Sequence, residues 1–116
     1  MAISNDYGHI HAFCRQVVAL SVVGDLPFGL SASAISRIAV IALPMARELG
    51  AVAVAFAGEG CRVAAKVATF ALRLPSAEAV RVQDDHICRG YMLCAWIEEG
   101  VWASPASRAG TTLHQN

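Results

Sequence analysis

Apolar residues recur at helical spacing in three stretches of the chain: 7–20, 34–49 and 76–99. Intervals of three and four residues between the apolar positions predict an amphipathic helix in each stretch. Gly50 directly follows the second stretch, where glycine is favoured just past a helix end. Pro44 lies inside that stretch, so a kink or an early end of the helix is expected there.

Shorter apolar segments lie between these helices and have the length of strands: 26–30, 51–57 and 70–74. The run of small apolar residues at 51–57 is typical of a strand covered on both faces. Pro27 cannot donate to a ladder, so it fits a strand start or a sheet edge. A short helical segment, 62–67, separates the last two strands. Strands that alternate with helices predict an α/β fold, a three-layer parallel sheet with flanking helices and right-handed crossovers.

The composition narrows the class of protein. The chain has 116 residues, enough for one domain with its own core. It is 56% hydrophobic and 16% charged, so much of the chain is expected to be buried in itself or in a partner, and a homo-oligomer is predicted. Nine basic and nine acidic residues cancel without forming a basic run, which argues against binding to nucleic acid or an anionic membrane.

Nothing in the sequence predicts export or insertion into a membrane. The apolar stretch 38–46 is far shorter than the roughly 18 residues that a spanning helix needs. Polar residues occupy the N-terminal region, where a signal peptide would need an apolar core, so a cytoplasmic location is expected. The segment beyond 101 loses its periodicity. We therefore predict a domain at 1–102 and a disordered tail at 103–116.

The four cysteines have no C-x-x-C spacing: Cys14, Cys61, Cys88 and Cys94. Since all have apolar neighbours, they are predicted to be reduced core residues. A zinc site at His9, His11 and Cys14 is disfavoured, because helix positions two apart point in different directions. Trp96 and Trp102 are interpreted as packing or interface anchors.

Three hydroxyl side chains follow the first predicted strand in the stretch GDLPFGLSASAISR: Ser31, Ser33 and Ser36. Ligands bind beyond the carboxyl ends of parallel strands, where helix N-termini present free N–H groups. Phosphate oxygens only accept hydrogen bonds, so hydroxyl and N–H donors suit a phosphate. In the alternative interpretation, one serine caps the helix and the others fill a turn.

Four segments carry a family resemblance: AISNDYG, GDLPFGLSASAIS, AFAGEG and LRLPSAEAVRVQDDH. In this order and spacing they resemble the sugar isomerase (SIS) fold of the phosphoheptose isomerase family, over about residues 2–99. The resemblance implies a flavodoxin-like topology that lacks the first two strands of the family. It also implies that Ser31, Ser33 and Ser36 match the serines of a Ser-Thr-Ser-Gly-Asn-Ser loop, which binds the phosphate of sedoheptulose 7-phosphate.

Further site residues follow from the same resemblance. Asn5 and Asp6 match an Asn-Asp pair near the sugar, and Gln83 and His86 match the helix motif R-I-Q-E-x-H. The serine loop departs from the family at three positions, which predicts weaker phosphate binding: Ala32, Ala34 and Ile35 replace threonine, glycine and asparagine.

The resemblance also implies which catalytic groups are missing. Family members use zinc with a His and a Glu of an early helix, plus a Gln and a second His of the last helix. Gln83 is the one metal-site residue found, since Tyr91 occupies the position of the second His and phenol is a poor zinc ligand. Zinc is therefore not expected on this chain alone, and any aldose–ketose isomerase activity would be incomplete. His86 is a catalytic candidate, with a partly buried structural histidine as its alternative.

Two functional hypotheses remain open from the sequence. The first is a cytoplasmic, oligomeric phosphosugar-binding domain related to sedoheptulose 7-phosphate isomerase. The second is a non-catalytic oligomeric adaptor that binds a protein such as a replication initiator, because Tyr91 is shared with such relatives. In either case the strand beginning near Leu26 would lie at an open edge, where another polypeptide could supply the missing strands.

Overall fold

The computed structural model describes residues 2–32 and 37–103. Its helices and strands, in chain order, are α1 (Ala2–Tyr7), a 3₁₀ turn (His9–His11), α2 (Ala12–Leu20), β1 (Phe28–Ser31), α3 (Arg37–Glu48), β2 (Val54–Ala57), α4 (Arg62–Val67), β3 (Phe70–Arg73) and α5 (Ala79–Ala103). The chain divides into two compact units, one ending at Gln83 and the other beginning at Asp84. Each unit is described by itself.

The three described strands form one parallel sheet in the order β1-β2-β3. Leu30 of β1 pairs with Phe56 of β2, which pairs with Leu72 of β3. β1 is an edge strand of this sheet, as predicted, and Pro27 lies just before it. The Pro27 carbonyl accepts the Val54 N–H, so the proline contributes an acceptor where it lacks a donor. The predicted α/β class is confirmed.

One face of the sheet is built from small residues. Ala55 and Ala57 of β2 belong to a buried cluster with Leu43 and Ala46 of α3. At Gly29, α3 approaches the sheet closely, because an added Cβ would lie 3.1 Å from both methyl carbons of Leu43. The small side chains therefore allow α3 to pack directly on the strands.

The opposite face carries large apolar side chains in two rows across the strands: Phe28, Val54 and Phe70, then Leu30, Phe56 and Leu72. Its centre is buried, since Phe56 is 2% exposed. The Phe28 and Phe56 rings meet edge to face with centroids 5.6 Å apart. The members of the rows on β1 and β3 are exposed.

The predicted helix at 7–20 is interrupted. Gly8 has a positive φ of 84°, which separates α1 from the 3₁₀ turn and α2. Glycine adopts this conformation without the steric penalty of a side chain, so a break here is accessible. His9 and His11 lie in the 3₁₀ turn with exposed side chains, whereas Cys14 is buried in α2.

Pro44 does not end α3. The helix continues to Glu48, with Pro44 in its interior. An interior proline costs about 3 kcal/mol. The neighbouring residues Leu43 and Ala46 are buried in the core cluster, and their packing favours continuing the helix through the proline.

The last helix begins later and ends later than predicted. The Ser76 hydroxyl accepts the Glu78 N–H at 3.2 Å, but α5 itself starts at Ala79. It reaches Ala103, beyond the predicted end at Glu99. Residues 104–116 of the predicted tail lie outside the described residues. No helix within 2–32 or 37–103 combines the length and apolar character required to cross a bilayer.

The prediction that every cysteine is a core residue was wrong for two of them. All four are free thiols; Cys14 and Cys61 are buried, but Cys88 and Cys94 are exposed on α5. Residues six apart on a helix point about 120° apart, so these two cannot both face one core.

Candidate functional site

The carboxyl edge of the sheet is where the phosphate site was predicted. Ser31 is the last residue of β1 and is 5% exposed, so its hydroxyl is buried at the point where the strand leads toward α3. Ser33 and Ser36, together with Ala34 and Ile35, lie outside the described residues. Ser31 is thus the one serine of the loop that the structure describes.

Asn5 and Asp6, the predicted sugar contacts, lie on α1. Both side chains are exposed. The main contacts of α1 are with the 3₁₀ turn and α2, and α2 packs against α3. The pair is therefore accessible to a ligand, but these contacts do not place it beside Ser31.

Three segments meet beyond β2, at the same edge of the sheet. Ala57 pairs with Ser31 on one side and with Arg73 on the other, so these residues end the three strands at one level. The Arg73 Nη2 donates to the Glu59 carbonyl at 2.6 Å, and the Glu59 N–H donates to the Ser76 carbonyl at 3.0 Å. We call the Arg73 side chain and the backbones of Glu59 and Ser76 the α5 clamp.

Gly58 allows the start of α5 to approach this turn. A Cβ at Gly58 would lie 2.9 Å from the Val82 Cγ2 and 3.0 Å from the Ser76 carbonyl oxygen. Val82 is fully buried, whereas the next residue, Gln83, is exposed. The first unit thus carries Gln83 at its C-terminal end with its side chain accessible.

Sequence reasoning missed Arg73 and Glu59. The AFAGEG segment marked a turn, and Arg73 marked the end of a strand, but neither pattern links a side chain to a carbonyl fourteen residues away. The available signal was their common position, since both follow parallel strands that end at one edge.

His86, in the second unit, is buried with 8% exposure. Burial lowers the pKa of its imidazole below the ordinary value of 6.5; Asp85 opposes this shift and Arg89 adds to it. Asp85 and Arg89 form an ion pair with the Arg89 Nε 2.8 Å from the Asp85 Oδ2. This is the environment of a neutral, buried histidine, which was the structural alternative for this residue.

The pKa direction of His86 predicts a pH dependence of stability. The unfolded chain takes up a proton near pH 6.5, the ordinary pKa, while the folded imidazole stays neutral to lower pH. The free energy of unfolding should therefore fall as the pH drops below about 6.5. Urea unfolding between about pH 7.5 and 5.5 measures this slope, which should be flatter in His86→Gln.

The control variant His11→Gln changes an exposed imidazole and should retain the decline. An equal slope in His86→Gln and the unmodified chain would show that His86 is not responsible.

The described residues do not fit a zinc site. Within 2–32 and 37–103, no three His, Cys, Asp or Glu side chains gather closely enough to hold a metal ion. Gln83 supplies a single neutral ligand, and Tyr91, at the position of the second family His, is exposed on α5. Structural and catalytic zinc sites use three or four strong donors, more than Gln83 and Tyr91 supply.

Phosphoheptose isomerases are among the known proteins similar to this chain. The phosphoheptose isomerase of Aneurinibacillus thermoaerophilus is 38% identical over 101 residues, which are 87% of this chain and 51% of that protein. That of Aquifex aeolicus is 39% identical over 100 residues, or 86% of this chain and 52% of that protein. The chain is homologous to phosphoheptose isomerases over most of its own length. It corresponds to the C-terminal portion of these relatives.

Solved structures agree with the sequence relatives. A phosphoheptose isomerase from Francisella tularensis superposes with a TM-score of 0.77 at 28% identity, covering 84% of this chain and 55% of that one. The Neisseria gonorrhoeae enzyme gives a TM-score of 0.75 at 33% identity with the same coverage. No protein-family model matches the chain. The chain spans about half the length of the curated relatives it matches.

Proposed function

We propose that the chain binds a phosphosugar related to sedoheptulose 7-phosphate at the carboxyl end of β1. The observation that carries the proposal is the match to phosphoheptose isomerases over 86–87% of the chain, which includes the segment from β1 into α3. Ser31 is buried at the end of β1, where ligands of parallel sheets bind. Ser33 and Ser36 would provide the other two hydroxyl donors.

The start of α3 supports an anion at this position. Unsatisfied N–H groups and the positive end of the helix dipole favour a negative charge at a helix N-terminus. Arg37 is exposed at the first position of α3, where the dipole repels its cation. A bound phosphate would relieve that repulsion and accept hydrogen bonds from the serine hydroxyls.

Calorimetric titration with sedoheptulose 7-phosphate tests this site. Replacing Ser31, Ser33 and Ser36 together with alanine should weaken binding by at least about tenfold, since a hydrogen bond to a charged group contributes about 1.5–3 kcal/mol. Ser21→Ala, beyond the end of α2, is the matched control and should bind normally. Unchanged affinity in the triple variant would remove the serine loop from the site.

Isomerisation requires more than binding. Moving a proton between adjacent carbons of an aldose or ketose phosphate needs a positioned base and a group that polarises the carbonyl. We infer that this chain alone lacks that set, because Tyr91 replaces a family histidine and Gln83 is the one matched metal-site residue. Isomerase activity of the isolated chain with added zinc would contradict this inference.

A homo-oligomer is part of the same proposal. Large apolar side chains are exposed on the second unit: Ile87, Tyr91, Trp96, Ile97, Val101 and Trp102. Exposed aromatic and aliphatic residues at this density favour contact with another protein surface. We propose a second copy of this chain as the partner, in the cytoplasm; the adaptor alternative gains no support from relatives that are named phosphoheptose isomerase.

A further inference from the structure

The α5 clamp holds the turn after β2 from two sides. The guanidinium of Arg73 donates to the Glu59 carbonyl at 2.6 Å, and the backbone N–H of Glu59 donates to the Ser76 carbonyl at 3.0 Å. A hydrogen bond from a charged donor is shorter and stronger than a neutral one. Arg73 therefore joins the end of β3 to the turn after β2, and Glu59 of that turn binds Ser76, which precedes α5.

Those contacts continue into the first turn of the helix. The Ser76 hydroxyl accepts the Glu78 N–H at 3.2 Å, and the Glu78 carbonyl accepts the Val82 N–H at 3.0 Å. Glu78 also pairs with Arg81 one turn along. Val82 packs against Gly58, where no room remains for a Cβ. These contacts therefore fix the first turn of α5 relative to β2, both along the helix axis and in rotation about it.

We propose that Arg73 is a positioning residue for Gln83, acting through the α5 clamp. Gln83 follows Val82, and consecutive helix residues point about 100° apart, so fixing Val82 against Gly58 fixes the direction in which the exposed Gln83 side chain leaves the helix. Any rotation of the first turn would move that amide. A contact between Gln83 and the sugar phosphate is part of this proposal and rests on the proposed function, whereas the position of Gln83 beside Val82 does not.

A second arginine supplies a matched control. The Arg47 Nη1 donates to the Val67 carbonyl at 3.2 Å, so it is also an exposed arginine bound to a backbone carbonyl. Val67 ends α4, and this bond joins α4 to α3 rather than to the start of α5. Removing either guanidinium deletes one comparable hydrogen bond, but only Arg73 belongs to the α5 clamp.

The first experiment is nuclear magnetic resonance on the full chain with Arg73→Met, Arg73→Lys and Arg47→Met. The side-chain amide signals of Gln83 are assigned by their absence in Gln83→Ala. Arg73→Met should shift these signals and speed hydrogen exchange at the Val82 amide. Arg73→Lys keeps a donor and should restore most of both properties, and Arg47→Met should change neither. Identical Gln83 signals and Val82 exchange in Arg73→Met and Arg47→Met would overturn the proposal.

The second experiment is titration with sedoheptulose 7-phosphate. Arg73→Met should weaken binding on the order of tenfold, as for other residues that orient a ligand-contacting side chain. In a Gln83→Ala background the same substitution should cause no further loss, because its effect passes through Gln83. Additive losses, or normal binding by Gln83→Ala, would overturn the proposal. If the unmodified chain does not bind the sugar phosphate, the proposed function fails and the Gln83 signals alone decide the role of Arg73.

Discussion

Replacing Phe56 with alanine is expected to lower the free energy of unfolding by about 3–5 kcal/mol. Phe56 is 2% exposed at the centre of β2, between Leu30 and Leu72 and against the ring of Phe28. Deleting its ring leaves a cavity and removes buried apolar surface. Since domains are stable by about 5–15 kcal/mol, urea unfolding should show a large loss, or no cooperative transition at all.

Phe70→Ala is the matched control for this substitution. Phe70 lies in the same sheet face on the neighbouring strand but is 63% exposed. Its removal should change stability by much less, because little buried surface is lost. Equal destabilisation by the two variants would show that the centre of the face does not carry the packing energy.

A methyl group at Gly58 is expected to destabilise the first unit by about 1–3 kcal/mol. The added Cβ would lie 2.9 Å from the Val82 Cγ2 and 3.0 Å from the Ser76 carbonyl oxygen. The valine can adjust, but the carbonyl belongs to the backbone that leads into α5. Thermal and urea unfolding of Gly58→Ala measure the loss.

Gly90→Ala is the control for added volume. Gly90 lies within α5, and a Cβ there would meet nothing within 4 Å. Alanine is the better helix former by about 1 kcal/mol, so this variant should be unchanged or more stable. A stable Gly58→Ala variant would show that the turn after β2 has room to move away from α5.

Much of the fold could be predicted because apolar residues repeat at the spacing of the helices and strands that bury them. The run at 51–57 indicated a doubly covered strand, and β2 occupies its second half, Val54–Ala57. The segment 62–67 matches α4 directly. The boundary errors arose where local geometry overrode periodicity, as at Gly8, whose positive φ breaks a pattern that continues on both sides.

The site could be predicted only in part. Ser31 was predictable, because a hydroxyl at the carboxyl end of a strand in a parallel sheet lies at the ligand-binding edge. The α5 clamp was not predictable, since Arg73 binds a backbone carbonyl, and every residue type has one. For His86 the sequence left a catalytic and a partly buried structural histidine open, because periodicity does not separate its position from those of exposed apolar residues such as Ile87 and Tyr91.

The two faces of the sheet set different limits on how the sequence can diverge. Gly29, Ala55 and Ala57 lie under α3 and α4 with little spare volume, so a larger residue there requires a whole helix to shift or a compensating reduction opposite it. The outer positions of the other face, such as Leu30 and Phe70, carry no such coupling within the described residues. Substitutions on the face under α3 and α4 should therefore occur together with compensating changes in the helices, whereas substitutions at the outer positions of the other face should occur independently.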